Sequence, residues 1–436
     1  MRIHSLWLVS LALASAHLLT AQATDDTQLK QVILFARHGV RSPSLTNAML
    51  DKFSVQPYPD FGLQVDILTT QGAAIETALG SYYRLWLTKE GVLTGNDGQD
   101  AANVYFRAGM SSELIVDSAK YFASGMLPAA TVNLNVQPGY DAVFDPVDAG
   151  VSKIDQQTAI AAVLGRLGGN PQSLATAYAP ELALVRSVLL HYQGRDGMLP
   201  AAPPSTIDVT KIPFAVTAGQ QGLPVGLGGL STICGVIDPF IMEYANGMPL
   251  EQVGWGQLDP ASISRTYHLY DKLLDLEYRT PYLAGVQSSN MASHVVRSLV
   301  QASTGKPVAG ALASPSTKVI LLLGTNTQIT GLAGLLHLDW ALPEFPLDEA
   351  SPSGVLVFEL RQSESTGQFV VRVSYTAQTF EQLRNVTPLT LSNPPATAPV
   401  FVPGCSTSNA TFDCPLAGFV NVVDQAIDPQ SIDLSN

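Results

Sequence analysis

The chain has little charge, little cysteine and, beyond its first residues, no long apolar run. Only 14% of its 436 residues are charged, and the formal net charge is −13. No basic stripe offsets that excess, which argues against nucleic acid as a partner. The same acidity repels anions at a distance, so a site for a phosphorylated ligand has to be a local positive pocket. After the N-terminal segment no stretch reaches ~18 uninterrupted apolar residues, the length a membrane-crossing helix needs. The seven His are scattered without metal-ligand spacing. Internal repeats and long low-complexity tracts are absent.

Cysteine is scarce enough to read one by one. Cys405 and Cys414 lie close in sequence and are predicted to pair in an oxidising compartment, stapling their loop. Cys234 is left over in an apolar helical run and reads as a buried, inert thiol. Asn385-Val386-Thr387 and Asn409-Ala410-Thr411 are glycosylation acceptors only in a host that glycosylates. Residues 1–23 read as a secretory signal peptide. Arg2 is the positive start, Leu6 to Leu19 the short apolar stretch, and Ala21-Gln22-Ala23 the small-x-small cleavage site. The expected mature protein is periplasmic or secreted, with no membrane attachment after signal removal.

A chain of this length with 46% hydrophobic residues can bury a large core, in two domains. Val32-Ile33-Leu34-Phe35-Ala36 reads as a buried parallel strand. Arg37-His38-Gly39-Val40-Arg41-Ser42-Pro43-Ser44 follows it directly, so Arg37, His38 and Arg41 leave the carboxyl end of a strand, the edge where open α/β sheets bind ligands. Gly39 is expected to permit a sharp backbone turn, and Pro43 to stiffen the exit. Two guanidinium forks match phosphate oxygens. Their charge also disfavours imidazolium, keeping His38 neutral and nucleophilic. A neutral imidazole beside a clamped phosphoryl group can attack phosphorus covalently. The bland alternative is a strand-end loop carrying a surface Arg-His pair.

Further along, helices are expected over 68–88, 112–124, 155–167, 180–192, 229–244, 262–277 and 289–302. Strands are expected at 103–106, 131–136, 318–323, 355–360 and 369–375, the last two completing the set. The α-rich stretch 151–257 reads as an insertion forming a lid over the sheet edge, with 24–150 and 258–436 forming the α/β domain.

The Arg37–Pro43 stretch resembles the histidine acid phosphatases, in the branch that includes bacterial phytases and periplasmic glucose-1-phosphatases. The resemblance spans nearly all of the mature chain. It recurs at Leu68 to Gly72, Phe144 to Val147, Gly247-Met248-Pro249, Gly254-Trp255-Gly256, Arg279-Thr280-Pro281, and Gly404-Cys405 with Cys414. It implies an α/β three-layer sandwich with a mostly parallel central sheet, of the histidine phosphatase and phosphoglycerate mutase kind, plus the inserted lid. It also implies that His38 carries a transient phosphoryl group bound by Arg37 and Arg41, with Ser44 where the family often has a phosphate-contacting Thr. Asp238 matches an acidic pocket position, and Arg279 an Arg that can touch extended substrates. No metal or organic cofactor is implied, since the two Arg clamps replace a metal's charge.

Three positions depart from the family pattern. After the 318–323 strand the family places Gly-His-Asp, whose Asp protonates the leaving oxygen; here the chain reads Gly324-Thr325-Asn326. Asn cannot give up that proton. The family's third phosphate-binding Arg falls on Leu114, and Arg107 lies too early to replace it with certainty. Loss of a preorganised donor costs on the order of 3–4 kcal/mol in the transition state, and loss of general acid catalysis ~10²–10⁴ in rate. Two functions follow. One is a phosphomonoester hydrolase acting through a phosphohistidine at His38, with low turnover and an impaired or rerouted acid step, Asp238 being the possible surrogate acid. The other is an inactive family member that binds a phosphorylated ligand or a protein partner. Thr325, Asn326 and Arg279 remain candidate substrate-binding residues in either case. The expected partner is a small phosphorylated substrate.

Overall fold

In the chain's structure, a computed structural model, residues 25–109, 112–191, 202–220 and 223–435 are described. The signal-peptide expectation lies outside the described residues, as do Ser111 and Tyr192.

The apolar run predicted as a buried strand forms the centre of β1, Thr27–Arg37. Residues 32–36 are fully buried, and they divide by period two. Ile33 and Phe35 join the core on one face of the sheet, while Val32, Leu34 and Ala36 join the core on the other. Each such side chain contributes roughly 1.5–3 kcal/mol on burial, so two covering layers are what the run requires. Nine further strands are β2 (Val104–Ala108), β3 (Leu134–Val136), β4 (Phe214–Ala218), β5 (Val225–Gly228), β6 (Val319–Gly324), β7 (Val355–Ser363), β8 (Phe369–Ala377), β9 (Ala396–Val400) and β10 (Cys414–Pro415). The central sheet runs β10-β8-β7-β1-β6-β2-β3, with β9 also paired to β8. Pairings β1–β6, β6–β2 and β2–β3 are parallel. The strand β7 is antiparallel to β1 and β8, and β9 and β10 are antiparallel to β8. Thus β1, β2, β3, β6 and β8 share one direction, a mixed but mostly parallel sheet.

Helices Thr70–Lys89 and Glu113–Met126 cover one face, and helices Pro281–Thr304, Asn326–Leu336 and Leu416–Ala426 the other. The sandwich therefore has three layers.

Some expected elements differ. The strand set does not end with β8. β9 carries Pro399 and β10 has only two residues, so both are edge strands with weak local signals. The strand expected at 131–136 is only Leu134–Val136, because it pairs with no more than Phe106 to Ala108 of β2. The last long helix starts at Pro281 rather than Ser289, since Pro preorganises a helix start.

Residues 151–257 contribute helices Gln156–Arg166, Ser173–Ala177, Ala179–Leu189 and Gly229–Ala245 and the hairpin β4–β5. Their apolar faces form a third core with Ile263 and Tyr267 of helix Pro260–Tyr278 and with Val40 from the Arg-His loop. Cys234 is buried in that core, where burial pushes its thiol well up. Cys405 and Cys414 form a disulfide. Among the described residues no helix is long and apolar enough to cross a membrane.

Candidate active site

The site begins where β1 ends. Arg37 stands opposite Gly324 in the β1–β6 register. The loop that follows is fixed by main-chain bonds on both sides: the His38 amide donates to the Gly324 carbonyl (3.0 Å), and the Ser353 amide donates to the His38 carbonyl (3.1 Å). Below it, helix Thr70–Lys89 starts against the loop. Thr69 caps that helix by accepting from the Gly72 amide and donates its own amide to the Val40 carbonyl (3.0 Å). Gly39 does not serve as a left-handed turn, for its φ is not positive. It is needed for space: a Cβ there would lie 2.9 Å from Leu68 and 3.1 Å from Glu76.

Arg37, His38 and Arg41 are 1%, 4% and 6% exposed. His38 Nδ1 lies 3.0 Å from the Gly39 carbonyl oxygen. A carbonyl only accepts, so Nδ1 carries the hydrogen and Nε2 holds the free lone pair. Burial first, then the charges of Arg37 and Arg41, hold the imidazole pKa well below 6.5. The ring is neutral and oriented, with Nε2 left as an acceptor.

Both guanidiniums have protein partners. Arg41 Nη1 and Nη2 donate to the two oxygens of Asp238 (3.0 and 3.3 Å), and its Nε lies 3.4 Å from Asp66. Arg37 Nη1 donates to the Ala350 carbonyl (2.6 Å) and lies 3.7 Å from Glu349 Oε1. Its Nε is buried without an acceptor. Behind Glu349 sits Asp271, whose pKa burial and the neighbouring Glu349 carboxyl push well up. A carboxylate beside that carboxyl disfavours a second negative charge, so Asp271 holds its proton. The positive pocket expected for a phosphate is therefore balanced within the protein, because burying bare guanidinium in a low dielectric is too costly.

The remaining expected residues fall into place as follows. Ser44 is exposed and donates to Asp66 (2.7 Å), one step from Arg41. Thr325 precedes helix Asn326–Leu336. Its amide donates to Gln328 Oε1 (2.9 Å), and its hydroxyl pairs with that of Thr327 (2.7 Å). Asn326 is buried and donates its amide to the Tyr270 hydroxyl oxygen (3.4 Å). Leu114 is buried in the first turn of helix Glu113–Met126, and its carbonyl accepts from Ser118, whose hydroxyl in turn accepts from the Gly39 amide. Arg107, at the end of β2, is bound bidentately by Asp141 (2.7 and 2.8 Å). Arg279 donates to the Leu338 carbonyl (3.0 Å) and pairs with Asp339 and Asp348. It lines a cavity of about 430 Å³ with Asp271 and Lys272, and none of its described bonds reaches Arg37, His38 or Arg41. Glu349, Asp271 and Tyr270 escaped the sequence reading, since single residues in a loop and on a helix carry no local pattern. Among the described residues no group of three or more His, Cys, Asp or Glu could hold a metal ion.

No protein-family model matches the chain. It is 28% identical to phytase AppA of Escherichia coli over 93% of this chain and 94% of that protein. It is 26% identical to the glucose-1-phosphatase of Salmonella typhimurium, over 96% of this chain and 98% of that protein. Among solved structures, Hafnia alvei phytase in complex with tartrate superposes with a TM-score of 0.82 at 26% identity, covering 94% of this chain and all of that one. With the Arg-His-Arg loop at the end of its central strand and these full-length likenesses, the chain is similar over nearly its whole length to the phytases and glucose-1-phosphatases of the histidine acid phosphatase family.

Proposed function

We propose that this protein is an exported phosphoric monoester hydrolase of the phytase and acid phosphatase type, acting through a phosphohistidine at His38. The observation that carries the reading is the state of His38: buried, neutral, with Nδ1 held by the Gly39 carbonyl, Nε2 left as an acceptor and the charges of Arg37 and Arg41 acting on the ring. Attack by Nε2 forms the N–P bond as the bond from phosphorus to the leaving oxygen breaks, and water then frees phosphate. Arg37 and Arg41 take the phosphoryl oxygens. Asp238, holding both ends of the Arg41 fork, sets how that guanidinium faces the substrate. The substrate class is a small phosphorylated molecule, as the names of the similar phytase and glucose-1-phosphatase suggest.

A second reading is favoured by one observation. Both clamps already have acidic partners, and Leu114, Thr325 and Asn326 remove three further phosphate-directed groups, which suits a binding protein without turnover. Hydrolysis of an aryl and an alkyl phosphate from about pH 3 to about pH 7, wild type beside His38→Ala, separates the two. Turnover that disappears with His38 supports the hydrolase. Turnover absent in both proteins, with phosphate binding retained through Arg37 and Arg41, supports the binding protein.

A further inference from the structure

We propose that Tyr270 is the proton donor to the leaving oxygen in this site. The assignment rests on the reading of His38 as nucleophile and names the acid that the Gly324-Thr325-Asn326 turn lacks.

The geometry starts from Asn326. It is the first residue of helix Asn326–Leu336, directly beyond β6, the strand paired in parallel with β1. Its side-chain amide donates to Tyr270 Oη at 3.4 Å. A phenol oxygen that accepts from the amide keeps its own hydrogen available to donate elsewhere. The ring is held in place: it stacks on Tyr267, centroids 5.3 Å apart, and the Tyr267 hydroxyl donates to the Asp238 main-chain carbonyl at 3.1 Å. Tyr270 is thereby fixed to the helix whose Asp238 grips Arg41. It lies close enough to Asp238, Arg37 and Arg41 for all three charges to act on it.

Other candidates near Asn326 are bonded elsewhere, save Asp145 Oδ2, which is buried without a partner. Asp238 accepts from Arg41 with both oxygens. Tyr267 spends its hydrogen on a carbonyl. The hydroxyls of Thr325 and Thr327 pair with each other. Asp145, which burial raises to about 7, accepts from Gln328, and the charges acting on it are Asp148 and Asp141 rather than the clamps.

The step balances. His38 Nε2 forms the bond to phosphorus, the bond from phosphorus to the leaving oxygen breaks, and its electron pair takes the Tyr270 proton. The phenolate left behind faces Arg37 and Arg41. In the second step water attacks phosphorus, its proton goes to Tyr270, and the imidazole leaves with its lone pair restored. Burial, with the charge of Asp238, keeps the phenol protonated well past its ordinary pKa, so the donor is ready at every working pH. It is a weaker acid than a carboxyl, yet an alkoxide is a stronger base than phenolate, so transfer to an alkyl leaving group stays downhill.

The test uses the full mature chain, 4-nitrophenyl phosphate and glycerol 2-phosphate, with wild type, Tyr270→Phe, His38→Ala and Tyr270→Phe/Asn326→Asp. Phe keeps the stack on Tyr267, and a thermal melt checks the fold. Tyr270→Phe is expected to lower kcat on the alkyl phosphate ~10²-fold or more while leaving the aryl phosphate within about threefold, since a good leaving group needs no proton. Wild-type alkyl turnover is expected to stay level from about pH 5 to about pH 8, where a carboxyl donor loses its proton. The double variant is expected to regain alkyl turnover with a new falling limb above about pH 5. Equal losses on both substrates, no loss on either, or wild-type alkyl turnover at background would each overturn the role of Tyr270. Failure of the nucleophile reading is separate: it is wild-type turnover that survives His38→Ala.

Discussion

Two turns leave the same edge of the sheet from neighbouring strands, and they have met different demands. The turn after β1 buries a histidine and two arginines. Glu349, Asp238 and Asp66 lie against those arginines to balance them. The turn after β6 is built as a good helix start. Thr325 donates its amide to Gln328, and Gly324 leaves room for Phe144 and Gln328, which a Cβ there would crowd. Nothing about stability calls for the first arrangement, since buried ion pairs are at best neutral against apolar packing. It is the kind of arrangement that a function would keep. The second arrangement is explained by stability alone, apart from the Asn326 amide on Tyr270. Retained chemistry would show as residues that folding does not choose, and lost chemistry as residues that folding does.

The largest expected effect breaks the first turn. His38→Ala should lower turnover ~10³-fold or more while the melting temperature changes little, checked by steady-state assay and calorimetry. An unchanged rate would place the two turns on equal, purely structural footing.

The end of β2 offers a control that is structural throughout. Asp141→Ala leaves Arg107 buried without its bidentate partner and should cost about 3–5 kcal/mol of stability by denaturant unfolding. The KM for an aryl phosphate should not move, and a large rise would make Arg107 a third clamp.

The second turn can be rebuilt. In a Tyr270→Phe background, Thr325→His with Asn326→Asp should raise the alkyl phosphate rate by ~10²-fold, and aryl turnover much less. Adding Leu114→Arg should tighten inhibition by inorganic phosphate. No gain from the triple change would mean that these positions do not face the phosphoryl group.

The last prediction concerns pH. Burial raises Glu76, beneath the first turn, from 4.5 to about 8, and does the same to Glu243 and Glu277. A carboxyl whose pKa is raised on folding keeps its proton in the native state and loses it in the unfolded one. Its contribution is complete below about 4.5 and is lost as pH rises towards about 8. Each group should lower stability by roughly 1.4 kcal/mol per pH unit within that window. The protein should therefore melt higher in mild acid than at neutral pH, and Glu76→Gln should flatten the slope by about one group's share. A slope that Glu76→Gln leaves unchanged would mean Glu76 is not buried beneath the loop as described.

Much of this was legible beforehand, for identifiable reasons. The run Val32–Ala36 can be satisfied only between two layers, and it was. A neutral His38 followed from two adjacent guanidiniums. The misreadings share a cause as well. Gly39 was taken for a turn glycine because its neighbours in space, Leu68 and Glu76, lie some thirty residues or more along the chain. The edge strands β9 and β10 were missed because short or proline-bearing segments gain their order from the sheet rather than from their own residues.

By itself the sequence determined the central strands that must be buried, most of the long helices, and the strand end that delivers Arg37, His38 and Arg41, because each is a local pattern read over a few residues. Only the tertiary structure decided how that loop is charged and held. Arg41 meets Asp238 from 197 residues away, Arg37 meets Glu349 beside a second carboxyl, and Asn326 meets Tyr270 from 56 residues away. Charges buried in a low dielectric must find partners wherever the fold brings one within reach, and no local spacing records which partner that is.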